Sequence, residues 1–320
     1  MSKKNIITNN PFVFAAEDEY CLYRADLDFW WPYIANVLEQ HHLADTAKRS
    51  IAVCGFNSTY PVFLIQDIVV KFFGHRPYWR NAFNTECAAH EYLLQDQTIQ
   101  APHILAKGQL FANTDNPWPY IISTKISGQS WLNTPLTHEE KNNIAMEIGQ
   151  QLRKIHALPT DSRLKHDHEW STLNFNSAVE KSILPKHLIP QVDSFIAKLD
   201  DFDRCFVNGD MVDMHVFVEN GHLTGIIDWG DATITDRHYE LGKLLDTFDW
   251  DKRLLRTVID ASNWPVKKNF SKQCLGLALY RQAVGLTQHN SFDVFYKLPD
   301  LLSLDDIATL DELADVLFKL

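Results

Sequence analysis

The sequence predicts an α+β protein, and three features of the chain support this. β-Prone apolar runs around residues 51–54, 61–65 and 68–73 follow one another closely enough for an antiparallel meander. From about residue 137 onward apolar residues recur mostly at helical spacing. Within that helical half, Val216-Phe-Val218 and Leu223-Thr-Gly-Ile-Ile227 flank Asn220-Gly221, a pair that tolerates the positive φ of a tight hairpin turn. A chain of 320 residues suits one large domain or two smaller ones sharing a cleft.

Residues 1–50 are rich in aromatics (Phe12, Phe14, Tyr20, Tyr23, Phe29, Trp30, Trp31, Tyr33), and Phe29 to His41 has helical spacing. Packing against the next part of the chain is the expected use of these rings. Gln66-Asp67 is the expected turn between the second and third strands. Gly55-Phe-Asn-Ser-Thr59 is a polar loop between the first two; Ser58 and Thr59 lie where backbone N–H groups can meet a phosphate, although an ordinary turn would look the same. Lys71 stands in Ile-Val-Val-Lys-Phe-Phe, where a buried, unpaired ammonium is costly. It either snorkels from an edge strand or meets a carboxylate and a ligand. A helix over about 83–95, with Phe83, Cys87, His90 and Leu94 on its apolar face, offers Glu86 as that carboxylate, with Glu91 as the alternative.

Pro102 to Phe111 reads as a strand, Asn113 to Pro117 as a turn, and Trp118 to Gly128 as a strand running into a polar segment. Thr137-His-Glu-Glu140 has the spacing of a capping box, before a helix that reaches about His156 with Ile144, Ile148, Leu152 and Ile155 as its stripe. His156 fits a buried structural role. The His-rich tract containing His166 and His168 reads as a surface loop rather than a metal site. A helix over roughly 187–200 precedes the hairpin. Asp236 is a helix cap and Glu240 part of the scaffold; the rest, 252–320, is helical with a break at Trp264-Pro265. Tyr280, Arg281 and Gln282 lie on one of these helices on the expected substrate side, and 292–320 forms one or two closing helices.

The hairpin is bounded by Asp210 and His215 before it and Asp228 after it, so polar groups converge at one end of a ribbon. The run Asn208-Gly-Asp-x-x-x-x-His215, then Ile-Ile-Asp228-Trp, then Asp236-x-x-x-Glu240-Leu resembles the aminoglycoside phosphotransferase and choline kinase family. Its usual pattern is His-Gly-Asp-x-x-x-x-Asn, Ile-Asp-Trp/Phe and Asp-x-x-x-Asp/Glu-Leu. Asn208 stands where that family has His, and His215 where it has a metal-binding Asn. The resemblance extends over about residues 50–250. It implies a bilobal protein-kinase-like fold, with a nucleotide-binding lobe over 1–125 and a catalytic and substrate-binding lobe over 126–320. It also implies ATP or GTP in the cleft, with Ser123, Lys125 and Ile126 in an adenine-facing linker. Lys71, fixed by Glu86, would meet the phosphates. Asp210 would be the base, and His215 and Asp228 would hold Mg2+, or Mn2+ given the imidazole. The reaction implied is transfer of a γ-phosphate to the hydroxyl of a small molecule such as an aminoglycoside, amino alcohol or sugar. A nucleotide-binding relative without transferase activity is the alternative. A protein substrate fits least, because Asp228-Trp-Gly runs straight on to Asp236 without an activation segment.

Composition narrows the partners. Lys and Arg number 30 against 41 Asp and Glu, a net charge of -11, which argues against nucleic acid or an anionic membrane. The 5 cysteines form no Cys-x-x-Cys pair, which fits reduced thiols in the cytoplasm. Neither a signal peptide nor an uncharged apolar run of about 18 residues is evident. Oligomeric state is not encoded in any pattern of the chain.

Overall fold

The computed structural model describes residues 14, 16–46, 48–160, 164, 170–200, 202–288 and 292–320. His166 and His168 lie outside the described residues.

Two helices open the fold, α1 (Glu17–Arg24) and α2 (Leu27–Gln40). Asp26 caps α2 by accepting the Asp28 and Phe29 N–H groups, which the first turn leaves without helical partners. The expected meander comes next as β1 (Ala52–Cys54), β2 (Val62–Ile65) and β3 (Ile68–Phe72), with Gln66 in the left-handed region at φ 52°. Then come α3 (Trp79–Leu93), β4 (Ile104–Leu110) and β5 (Trp118–Thr124). The five strands form one antiparallel sheet in the order β1-β2-β3-β5-β4. Trp30, Ile34, Val37 and Leu38 of α2 cover one face of it, packing with Phe63, Val70, Phe72 and Trp118. Trp30 stacks on Phe72 with ring centroids 4.8 Å apart.

The second half contains β6 (Gln129–Ser130), α4 (His138–His156), α5 (Phe175–Glu180), α6 (Val192–Ile196), β7 (Arg204–Val207), β8 (Val216–Glu219), β9 (His222–Ile226), β10 (Thr233–Asp236), α7 (Leu241–Thr247), α8 (Lys252–Ser262), α9 (Phe270–Gln288) and α10 (Leu310–Phe318). The Thr137 capping box forms in full, and Ile144, Ile148, Leu152 and Ile155 have no exposed surface. Asn220 and Gly221 both have positive φ at the β8–β9 turn, as a tight hairpin requires. The turn rests on α4: Asn143 donates to the Gly221 carbonyl at 2.8 Å, and the Leu223 N–H donates to Glu147 at 2.6 Å.

Three local expectations change. The helix carrying Glu86 starts at Trp79; Cys87 and His90 of its expected face are buried and Phe83 packs beside Cys87, but Leu94 is 56% exposed. The single helix over 187–200 is instead a 3-10 stretch, Lys186–Gln191, followed by the short α6; Pro190 lacks the N–H that a continuous helix would use. Thr235 and Asp236 end β10, which pairs with β7, and Asp236 caps only the 3-10 turn Arg237–Glu240, accepting the His238 N–H. Over 292–320, where one or two closing helices were expected, two short 3-10 turns lead into a single α-helix among the described residues, α10.

One core underlies the sheet and a larger one fills the helical half. α3 belongs to both regions. Its Glu86 faces Lys71 of the sheet, while Ala89, Tyr92 and Leu93 are part of the larger core. Tyr92 stacks on Phe206 of β7 at 5.3 Å, and Phe206 stacks on Trp229 at 5.6 Å. This ladder of rings joins α3 to the segment that carries Asp228.

Candidate active site

Lys71 leaves β3 with its side chain 13% exposed and donates to two carboxylates, Glu86 at 2.7 Å and Asp228 at 3.0 Å. Burial disfavours the ammonium, but Asp228 and Glu86 outweigh it and hold the Lys71 pKa above its ordinary value. Burial pushes the Glu86 carboxyl up, against the pull of Lys71. Burial acts on Asp228 too, yet Lys71 and His215 overcome it and keep Asp228 well below the usual carboxylate range. Glu91, the alternative partner, is instead 3.8 Å from Lys107.

Asp228 sits just past β9 with φ 56°, a conformation that costs a non-glycine residue energy. Asn208 supports it there. The Asn208 amide nitrogen donates to the Asp228 carbonyl at 3.1 Å, and its side-chain oxygen accepts the Asp210 N–H at 3.0 Å. One neutral amide therefore ties together the backbones that carry both acidic residues. Between them, Gly209 has φ 83°, and a Cβ there would lie 2.4 Å from the Asp231 carbonyl. Glu240, fully buried, accepts the Asn208 N–H at 2.5 Å and the Gly209 N–H at 3.3 Å. Burial pushes its pKa up to about 7, against the pull of those two hydrogen bonds.

His215 lies between the two aspartates. Its Nδ1 is 2.8 Å from the Asp210 carbonyl and 3.5 Å from Asp210 Oδ2, and its Nε2 is 3.6 Å from Asp228 Oδ2. A carbonyl only accepts, so Nδ1 carries a proton, and Nε2 faces Asp228. Among the described residues no group of three His, Cys, Asp or Glu side chains gathers at metal-ligand distance.

Two cations hold Asp210: Arg281, on the helix expected on the substrate side, and Lys243, which the sequence reading does not single out. Arg281 of α9 donates to Asp210 Oδ1 at 3.0 Å and to the Gly209 carbonyl, and Lys243 of α7 is 3.2 Å from the same Oδ1. Burial opposes ionisation of Asp210, but Lys243, Arg281 and His215 prevail and lower its pKa. Asp231 is exposed at the cleft, yet the surrounding walls and the charges of Asp210 and Asp228 push its pKa up to about 6. The signal for Arg281 was present in the sequence, as a cation within an apolar helix that also buries Leu277, Leu279 and Tyr280. Lys243 and Asp231 carry no such mark.

Ser58 and Thr59 lie exposed in the loop between β1 and β2. Ser123 is inside β5, paired with Val69 on one side and Ile104 on the other, and the Lys125 N–H donates to the Asp67 carbonyl at 2.8 Å. Ile126 comes next and packs near Gly225 of β9. The structure thus gathers Lys71, Glu86, Asp210, His215 and Asp228 at one locus. Ser58 and Thr59 lie on the sheet's loop, and 123–126 on the passage between the sheet and the helical half.

The fold has counterparts among known proteins. A model of the phosphotransferase enzyme family matches residues 61–268. The GDP complex of wild-type aminoglycoside 2'-phosphotransferase-IIIa superposes with TM-score 0.62 at 18% identity, over 78% of this chain and 86% of that one. The streptomycin–ATP ternary complex of APH(2")-IIa gives 0.57 at 20% identity, over 82% and 96%. Macrolide 2'-phosphotransferase MphH from Brachybacterium faecium gives 0.61 at 11% identity, over 81% and 93%. No curated protein matches the chain in sequence. No helix among the described residues is long and apolar enough to cross a membrane.

Proposed function

The chain belongs to the phosphotransferase enzyme family and has a protein-kinase-like fold, and from that premise we propose that it moves the γ-phosphate of ATP or GTP onto a hydroxyl of a small cytoplasmic molecule. The observation that best supports this is Lys71 within hydrogen-bond reach of both Glu86 and Asp228. This arrangement keeps a cation facing the cleft while two carboxylates balance its charge.

In this reading Lys71 donates to the nucleotide phosphates, and Glu86 holds it in place. The linker at Ser123, Lys125 and Ile126 borders the base, and the loop bearing Ser58 and Thr59 covers the phosphates. Asp210 has one oxygen fixed by Arg281 and Lys243, which leaves Oδ2 to accept a hydrogen bond from the acceptor hydroxyl. The acceptor oxygen bonds to the γ-phosphorus, the bond from that phosphorus to the β–γ bridging oxygen breaks, and the hydroxyl proton passes to Asp210. Its depressed pKa keeps Asp210 ionised, so its main work is to orient the hydroxyl and to take the proton late.

His215 and Asp228 fit a divalent cation. His215 Nε2 and Asp228 Oδ2 lie 3.6 Å apart, which puts a nitrogen and an oxygen ligand side by side. Mg2+ or Mn2+ bound there would neutralise charge on the phosphates, with phosphate oxygens and water completing its shell. The imidazole suits Mn2+ better than the usual all-oxygen set does.

The test is nucleotide turnover against a panel of hydroxyl-bearing metabolites and antibiotics, with Asp210→Asn as the control. Loss of about 10²-fold or more in kcat is expected if Asp210 handles the hydroxyl proton. Equal turnover by the two proteins removes Asp210 from the mechanism.

A further inference from the structure

α1 lies against the loop that joins β1 to β2 and holds it from outside. The Tyr20 hydroxyl donates to the Thr59 carbonyl at 2.7 Å. Arg24 Nε donates to the Asn57 side-chain oxygen at 2.8 Å, and Arg24 Nη2 to the Asn57 carbonyl at 3.2 Å. Both side chains are buried, Tyr20 completely and Arg24 to within 8%. α1 is itself tied to the segment after β3, where Glu17 pairs with Arg76 at 2.7 Å and the Tyr20 ring stacks on His75 at 4.4 Å. The Cys54 thiol at the end of β1 donates to the Ala25 carbonyl just past α1.

Much of the loop's shape depends on these contacts. Within it the Gly55 N–H donates to the Val62 carbonyl and the Ser58 N–H to the Phe56 carbonyl, while Asn57, Ser58 and Thr59 are exposed. In a trans peptide the C=O of one residue and the N–H of the next point in opposite directions. Drawing the Thr59 carbonyl toward Tyr20 therefore turns the Tyr60 N–H away from α1. The Tyr60 ring lies under Lys71, with Nζ 5.8 Å from its centroid. From Tyr20 through Thr59 and Tyr60, one short stretch of chain links α1 to the lysine.

We propose that α1 is a brace for nucleotide binding, in which Tyr20 and Arg24 are positioning residues that fix the phosphate-facing conformation of residues 55–60. This rests on the nucleotide reading of the cleft and adds a determinant outside it. The two residues touch no reacting atom, so their effect falls on ATP affinity and not on the chemical step.

The experiment compares the full-length protein with Tyr20→Phe and Arg24→Met, which preserve most of the packing, and with Lys71→Met. ATP with magnesium or manganese chloride is titrated calorimetrically, KM and kcat are measured, and amide hydrogen exchange is followed over 55–60. Loss of one or two net hydrogen bonds predicts ATP binding about 10-fold weaker in Tyr20→Phe and Arg24→Met, with kcat within about 2-fold and faster exchange in the loop. Thermal midpoints should stay close to that of the wild type. Wild-type ATP affinity in both variants overturns the brace, as does a fall in kcat with KM unchanged. If Lys71→Met loses turnover while the other two match wild type, the brace alone fails. If Lys71→Met binds and turns over ATP like wild type, the reading of the cleft fails, and the brace fails with it.

Discussion

Glu240 shows what a buried residue does at a distance from the chemistry. Its carboxylate accepts the N–H groups of Asn208 and Gly209 and so sets the backbone that aims Asp210. Burial raises its folded pKa to about 7 from 4.5. A raised acid stabilises the fold fully below its unfolded pKa, and that contribution is lost as pH rises through the folded value. Glu240→Gln keeps an acceptor without the charge. Relative to wild type the variant should therefore gain stability between about pH 4.5 and 7, by something on the order of 2–3 kcal/mol. Urea unfolding at several pH values across that window measures it, and parallel pH profiles for the two proteins would contradict it. At this scale the sequence was informative wherever chemistry constrained a residue against its surroundings. Lys71 in an apolar strand and the acids around the hairpin stood out for that reason. Lys243 and Asp231 did not, because polar residues in polar neighbourhoods look alike until the chain is folded.

The hairpin and α3 are the elements that hold the site together. β8 and β9 deliver His215 and Asp228 to one end because the Ile227 N–H pairs with the His215 carbonyl at 3.0 Å and the tip is anchored on α4. Asn220-Gly221 made this hairpin legible, since few other dipeptides accept two positive φ angles in succession. α3 was legible as a helix, and Cys87, His90 and Phe83 of its expected face do pack inward, but Leu94 does not; Ala89, Tyr92 and Leu93 turn to the helical half instead. Tyr92→Ala should remove the first ring of the stack with Phe206 and Trp229. The expected loss is about 3 kcal/mol of stability, visible as a lower urea midpoint with an unchanged slope. An effect below about 1 kcal/mol would mean that the stack is dispensable to the fold.

At the level of the whole molecule, a sheet with its own core faces a larger helical core, and the polar site lies where the two meet. A ligand that touches both halves binds the folded state and not the unfolded chain. Saturating ATP with Mg2+ or Mn2+, at about 100 times its dissociation constant, should add about 2.7 kcal/mol of apparent stability. Differential scanning measurements with nucleotide, with metal and with both separate these contributions, and no shift with the pair would argue against a shared site. The order of strands and helices could be read from periodicity. The broken helix at Pro190 and the contact of α1 with the β1–β2 loop could not, because they depend on which surfaces meet after folding.

The double allegiance of α3 has a consequence for control. Many kinases are switched by swinging the corresponding helix outward, which carries its glutamate away from the lysine. Here such a swing would pull Ala89, Tyr92 and Leu93 out of a packed interior and expose three apolar side chains to water. The packing that holds the fold together therefore also holds the lysine–glutamate contact.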